Sequence, residues 1–255
     1  MRRLLVIGIG TGNPEHLTVQ AIKALNEVDV FFVMEKGSEK SDLVDVRKMI
    51  CHRYITDHDY KTLEIEDPPR EKDAGSYIQS VQSWHEQRAD RLETALLEEV
   101  QESGCGGLLA WGDPTLYDSV IRILEQLRAR GNVAFDYEVI PGISSLQMLT
   151  ARHRIPMNRI GETIRITTGR QLAERAQDID NVFVMLDGDC SFRHALGQDL
   201  DIFWGAYLGT PDEILIRGKL DNVAEDIQRR RREARERHGW IMDIYLLRRP
   251  GSATA

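Results

Sequence analysis

The sequence predicts an α/β protein of two unlike halves, a five-stranded parallel sheet followed by a five-stranded mixed sheet, and three observations carry that expectation. Through the first half, short apolar strand-like runs alternate with helix-like ones, the signature of βαβ units. Three of those strands run into glycine-punctuated turns: LLVIGIGTGNP at Leu4–Pro14, WGDPTLY at Trp111–Tyr117 and IPGISS at Ile140–Ser145. The second half carries five more strand candidates, some close enough together for antiparallel pairing. Bare-backbone turns at strand ends are what an open α/β sheet uses to hold one small ligand beyond its strands.

The elements follow in order. LLVIGIG is a first strand rather than a secretory leader, because the apolar run is short, is broken by glycine and lacks a small-residue cleavage site. Leu17, Ala21, Ala24, Leu25 and Val28 then repeat at helical spacing, with Asn13 or Thr18 able to cap. Val28–Met34 is the next buried strand. Residues 35–104 form a polar excursion with DPPRE at Asp67–Glu71 and a long helix over Tyr77–Glu102; it is expected either to fold over the ligand site as a lid or specificity element or to be a solvated surface insertion. Gly106–Trp111 resumes the strands, Asp118–Arg130 is a helix that Gly131 ends, and Tyr137–Pro141 is the fifth strand of a domain over 1–143.

In the domain over 144–255, Ser144 and Ser145 open the helix SSLQMLTARH. Strands are expected over Ile164–Thr168, Val182–Leu186, Ile202–Leu208, Glu213–Leu220 and Trp240–Arg248. The covering helix is Asp221–His238, with Glu225–Arg229 and Glu233–Arg237 at i,i+4 spacing and Gly239 as its stop. The basic run Arg229–Arg232 reads as a solvated face, with contact to an acidic ligand as the alternative.

Composition narrows the function. The 255 residues are 42% apolar and 29% charged, ordinary for a globular enzyme, and the net charge of −8 argues against a nucleic-acid surface. Cys51, Cys105 and Cys190 are few and never in C-x-x-C spacing, so neither a disulfide framework nor a zinc site is expected, and a reducing cytoplasm fits. No run is long enough to span a bilayer. Asp187 and Asp189 in LDGDC are a thin ligand set for a divalent ion, so a plain turn is expected and no metal.

A dinucleotide fingerprint needs a G-x-G-x-x-G frame. Here Gly8, Gly10 and Gly12 alternate, Asn13 fills the third glycine's slot, and Pro14 removes an amide a phosphate would use. A nicotinamide-dependent oxidoreductase is therefore the weaker alternative, and a noncatalytic ligand-binding module the plainest.

The three turns, in order and each at a strand end, resemble those of the tetrapyrrole methylase family along nearly the whole chain. GIGTGNPEHLT resembles the family's G-x-G-P-G-x-P loop, WGDPTLY its G-G-D-P loop and VIPGISSLQ its P-G-I-S-S segment. The resemblance implies two unlike α/β domains with S-adenosylmethionine in the cleft between them, S-adenosylhomocysteine as product, a polycarboxylate tetrapyrrole substrate and a homodimer. It places Pro14, Trp111, Gly112, Asp113, Ser144, Ser145 and Met185 at the cofactor. Thr11 stands for the usual first-loop proline and Trp111 for the first glycine of the second loop, so Trp111 either reshapes the pocket or points into the core. TGNPEHLT, KGSEKSDLVDVRKMIC at Lys36–Cys51, the long excursion and WGDPTLYDS are similar to a corrin-branch member that methylates precorrin-5 and releases acetate. A sibling C-methyltransferase of the same family is the near alternative.

Methyl transfer from a sulfonium is a displacement on an activated carbon, which positioning largely serves. Loss of acetate requires water to attack a carbonyl, hence a proton acceptor and a donor to the forming oxyanion. Asp113 and Tyr117 are the candidates by position; for Asp113 the competing role is a turn residue accepting backbone N–H bonds, and for Tyr117 packing under the cofactor. Lys36 and Arg170 are the candidates for substrate carboxylates, with plain surface charge as their alternative.

Overall fold

A computed structural model of the chain describes residues 1–35, 41–56, 58–69, 77–174 and 179–250. The chain divides into two compact units, Met1–Ile143 and Ser144–Ala255.

The first unit is a parallel sheet of β1 (Arg2–Gly8), β2 (Val30–Glu35), β3 (Lys61–Glu66), β4 (Cys105–Ala110) and β5 (Phe135–Ile140), in the order β3-β2-β4-β1-β5. β1 explains why both faces are covered. Its side chains alternate by the two-residue period of a strand, and all four of Leu4–Ile7 are buried. Leu4 and Val6 join a core with α3 (Tyr77–Glu99) and α4 (Val120–Arg130); Leu5 and Ile7 join another with α1 (Val19–Leu25) and α2 (Ser41–Tyr54). Thr18 caps α1 by accepting from the Ala21 amide at 3.0 Å, and Gly131 closes α4.

The described part of the excursion differs from a solvated surface insertion. It supplies the edge strand β3, the unanticipated helix α2 and the helix α3, which packs on α4. Ala89, Leu92, Leu96 and Val100 recur at helical spacing and sit in the core, so this stretch is not a solvated insertion. The polar residues between them masked that stripe in the sequence.

The second unit is a mixed sheet of β6 (Arg165–Thr168), β7 (Val182–Met185), β8 (Asp201–Ala206), β9 (Ile214–Lys219) and β10 (Asp243–Arg248), in the order β6-β7-β10-β8-β9. β6 and β7 are parallel and the remaining pairs antiparallel. Trp204, Tyr245, Phe183 and Phe192 fill its interior. α5 (Ser145–His153) and α7 (Leu220–His238) pack on this sheet, and the short α6 (Gly169–Glu174) follows β6. On α7, Arg229 pairs with Asp226 and Glu233 rather than with Glu225. Arg231 leaves the basic run altogether: its Nε donates to Asp243 at 3.0 Å in a buried pair. Among the described residues no helix is long and apolar enough to cross a membrane.

If α3 is core, Leu96→Ala should cost about 2–5 kcal/mol of unfolding free energy in urea, the range for truncating a buried leucine. A change below about 0.5 kcal/mol would return α3 to the surface.

Candidate cofactor site

Because β4, β1 and β5 are parallel neighbours, their carboxyl ends deliver the three turns to one edge of the first unit's sheet. There the backbone closes on itself. The Ile9 amide donates to the Ala110 carbonyl at 2.9 Å, and Gly112 and Gly10 form a bridge in which the Gly112 amide donates to Gly10 at 2.7 Å. The third turn fits against both. A Cβ on Gly142 would lie 2.1 Å from the Gly112 carbonyl oxygen, and one on Gly8 would lie 2.5 Å from the Gly142 nitrogen.

Asp113 fastens this contact. One carboxylate oxygen accepts from the Gly142 amide at 2.9 Å; the other accepts from the Thr115 amide at 2.9 Å and from the Thr115 hydroxyl. Burial pushes its carboxyl up, and the bonds from the Thr115 hydroxyl, the Gly142 amide and the Thr115 amide outweigh that, leaving it below its ordinary value. Both oxygens of this anion are committed to the turns.

Asn13 caps a short 3-10 turn over Pro14–His16 by accepting from the Glu15 amide at 2.9 Å, with Pro14 at its first position, where no amide is needed. The Pro14 carbonyl accepts from the Tyr54 hydroxyl at 3.0 Å. Tyr54 was not legible as a site residue, because it lies on the unanticipated helix α2. Trp111 is half-buried and packs with Leu17, Val46 and Tyr54 against the core formed with α1 and α2, which places its bulk on that core. Thr11 is buried, and its hydroxyl has no partner among the described residues.

Tyr117 presents a different chemistry. It adopts a left-handed backbone (φ 52°), is 46% exposed, and has no hydrogen-bond partner among the described residues. Partial burial raises its phenol above the ordinary value, so at neutral pH it is an O–H donor rather than a base. The thiols offer no nucleophile: burial pushes Cys51 up to about 12, Cys105 up to about 11, and Cys190 upward as well.

The remaining candidates belong to the second unit. Ser144 is the N-cap of α5, where Gln147 Oε1 accepts from its amide at 2.7 Å and from its hydroxyl. Ser145 is half-buried, and its hydroxyl has no partner among the described residues. Met185 ends β7, half-buried, opposite Thr168 of β6. Asp187 is a buried turn acceptor: it takes bonds from the Ser191 amide at 2.6 Å, the Ser191 hydroxyl at 2.9 Å and the Tyr245 hydroxyl at 2.6 Å. Arg231 donates to the carbonyls of Asp187 and Gly188, so the loop after Met185 is fixed from α7 and β10. Among the described residues no His, Cys, Asp or Glu cluster is placed to hold a metal. Arg170 is exposed at the start of α6. Lys36 lies outside the described residues.

Backbone turns too close for side chains, with the partner-free hydroxyl of Tyr117 in the second of them, suit a neutral or cationic small ligand held by shape and hydrogen bonds. Gly142→Ala should cost more than about 3 kcal/mol in urea unfolding, since backbone lies where its Cβ would stand; wild-type stability would disprove the contact. Asp113→Asn should cost about 1–2 kcal/mol at pH 7. A lowered native value stabilises fully above the unfolded carboxyl value of about 3.9 and is lost on acidification through the native one. The gap between wild type and Asp113→Asn should therefore hold from pH 7 to 5 and close below about pH 4 in urea titrations.

Known proteins resemble the chain along nearly its whole length. The family model for Tetrapyrrole (Corrin/Porphyrin) Methylases matches residues 3–224. The chain is 52% identical over 250 residues to "Precorrin-6A synthase [deacetylating]" from Sinorhizobium sp, covering 98% of this chain and 96% of that one. A crystal structure of a cobalamin synthesis related protein (CobF) from Corynebacterium diphtheriae superposes with a TM-score of 0.83 at 38% identity, covering 97% of this chain and 98% of the other. Uroporphyrin-III C-methyl transferase from Thermus thermophilus, solved with S-adenosylhomocysteine, shares the fold at a TM-score of 0.57 and 17% identity, covering 96% and 97% of the two chains. With its three turns joined and its length matched in this way, the chain belongs to the tetrapyrrole (corrin/porphyrin) methylase family.

Proposed function

We propose that this chain is an S-adenosylmethionine-dependent C-methyltransferase that converts precorrin-5 and water to precorrin-6A, releasing S-adenosylhomocysteine and acetate. The observation that carries the reading is the 52% identity, over nearly the full length of both chains, to a deacetylating precorrin-6A synthase. The Gly8–Gly112–Gly142 contact supplies a backbone cradle consistent with it.

S-adenosylmethionine supplies the electrophilic methyl carbon. Gly10, Gly112 and Pro14 of the first unit would hold it through backbone. In the deacetylating step, water oxygen bonds to the acetyl carbonyl carbon, the bond from that carbon to the ring breaks, and acetate leaves. The electron pair returns to the ring carbon, which is the carbon then methylated. Tyr117, neutral and unpartnered, is the candidate donor to the carbonyl oxygen as it gains charge. Asp113 serves as the clasp between turns, because a carboxylate already accepting three bonds is a poor proton acceptor. A cytoplasmic homodimer is part of this proposal and is supported by the family likeness, and the few, buried cysteines suit a reducing compartment.

Purified protein given precorrin-5 and methyl-labelled S-adenosylmethionine should release acetate in step with label incorporation. Methylation without acetate would move the assignment to a sibling C-methyltransferase, and calorimetric binding of NAD in place of S-adenosylhomocysteine would move it to another class. Tyr117→Phe should slow acetate release by about 100-fold while leaving S-adenosylhomocysteine affinity unchanged; undiminished release would remove the phenol from the mechanism.

A further inference from the structure

Away from the turns, the second unit contains a cavity of about 320 Å³ lined by Arg152, His153, Arg154, Leu215 and Arg217. It lies at the carboxyl end of α5, whose nine residues put it about 13 Å along the axis from the amino-terminal serines. The wall is built from both sides. Arg152 and Arg154 flank the last residue of α5, and Arg154 is its C-cap in a left-handed conformation (φ 57°) that fixes where the next segment departs. Leu215 and Arg217 sit two apart on the edge strand β9, and so on one face of the sheet.

His153 is the buried member. Only 5% exposed, it places Nε2 3.0 Å from the Trp204 carbonyl and its ring edge-on to Phe203. An imidazole nitrogen facing a carbonyl must carry the proton, and burial, with Arg217 nearby, holds the ring neutral. The positive charge therefore comes from the guanidiniums. Arg152 is paired with Glu213 at 2.6 Å, and that glutamate also accepts from the Gly209 amide. Arg154 and Arg217 have no carboxylate partner among the described residues. In a chain of net charge −8, two unneutralised guanidiniums lining one open hollow are a local reversal of sign.

We infer that this cavity binds a ligand carrying two or more carboxylates, with Arg154 and Arg217 each taking one. Guanidinium presents paired N–H donors that match a carboxylate's two oxygens, and Leu215 adds an apolar contact between them. Two sources share this chemistry, a free di- or tricarboxylate and the carboxylate arms at the rim of a tetrapyrrole; the second rests on the proposed function and the first does not.

Calorimetry at fixed ionic strength separates them, using citrate for the first and the octacarboxylate uroporphyrin for the second. Wild type should bind at least one, and Arg154→Gln with Arg217→Gln should weaken that binding by at least about tenfold. Arg235→Gln, an exposed arginine of α7 away from the cavity, controls for net charge. Loss of citrate binding assigns a free carboxylate, and loss of uroporphyrin binding alone assigns the macrocycle. Arg217→Gln by itself carries the test should the α5 cap be disturbed, as judged by the melting temperature. No binding of either probe, or a loss no greater than that of Arg235→Gln, overturns the inference. S-adenosylhomocysteine affinity, measured in parallel, reports on the cofactor reading independently.

Discussion

Three stretches of chain far apart in sequence can share one point only if none of them carries a side chain there. Gly8, Gly112 and Gly142 meet that condition at the carboxyl ends of β1, β4 and β5. The register makes the meeting unavoidable: Gly8 lies opposite Ala110 on one side, and Ile7 lies opposite Ile140 on the other. A parallel sheet emits all its strand ends on one edge, so the turns must either clash or interlock. Glycine decides for interlock, and Asp113 supplies the polar fastening through the Gly142 amide. The contact is steric first and electrostatic second, since a single methyl group would disrupt it while loss of the carboxylate would only loosen it.

The second unit solves a related problem with charge. Leu186 and Cys190, either side of the Asp187 turn, are both in left-handed backbone, a conformation that costs non-glycine residues roughly 1 kcal/mol or more each. The loop keeps that shape because Asp187 accepts from Ser191 and Tyr245, and Arg231 grips two of its carbonyls while paired with Asp243. Burial pushes the Asp243 carboxyl up, and the Arg231 charge and the Arg231 and Trp204 hydrogen bonds oppose that. A buried pair of this kind gives little net stability but fixes one geometry, and here the geometry belongs to the loop that follows Met185.

These features differ in how far the sequence revealed them. The three turns and most strand limits were legible because glycine, proline and unbroken apolar runs are local signals. The stops at Gly131 and Gly239 were legible for the same reason. β3 and α2 were not, because an edge strand and a half-buried helix mix polar and apolar residues on the scale of one turn. The inward stripe of α3 needed its partner α4 to become visible. Tyr54 bonding Pro14 and Arg231 bonding Asp243 join residues 40 and 12 apart in sequence, and nothing in their immediate neighbours distinguishes them from surface residues. Asp113 was legible as a turn residue, but its reach to Gly142 depends on the sheet order.

The division between backbone and side chain also separates the two halves of the chemistry. In the proposed reaction, holding a methyl donor in line asks for position, which interlocked turns give without any particular side chain. That is why Thr11 and Trp111 can depart from the family's pattern: one is buried with its hydroxyl inward, and the other lays its ring on the core beside α1 and α2. Removing an acetyl group asks in addition for a donor to a forming oxyanion, and this must come from a side chain free to give it. Tyr117 is the proposed donor: it is unpartnered among the described residues, partly exposed and held in left-handed backbone just beyond the Asp113 clasp. A rigid backbone seat with an adaptable rim allows one fold to keep its methyl donor while changing what is done to the carbon that receives the methyl group.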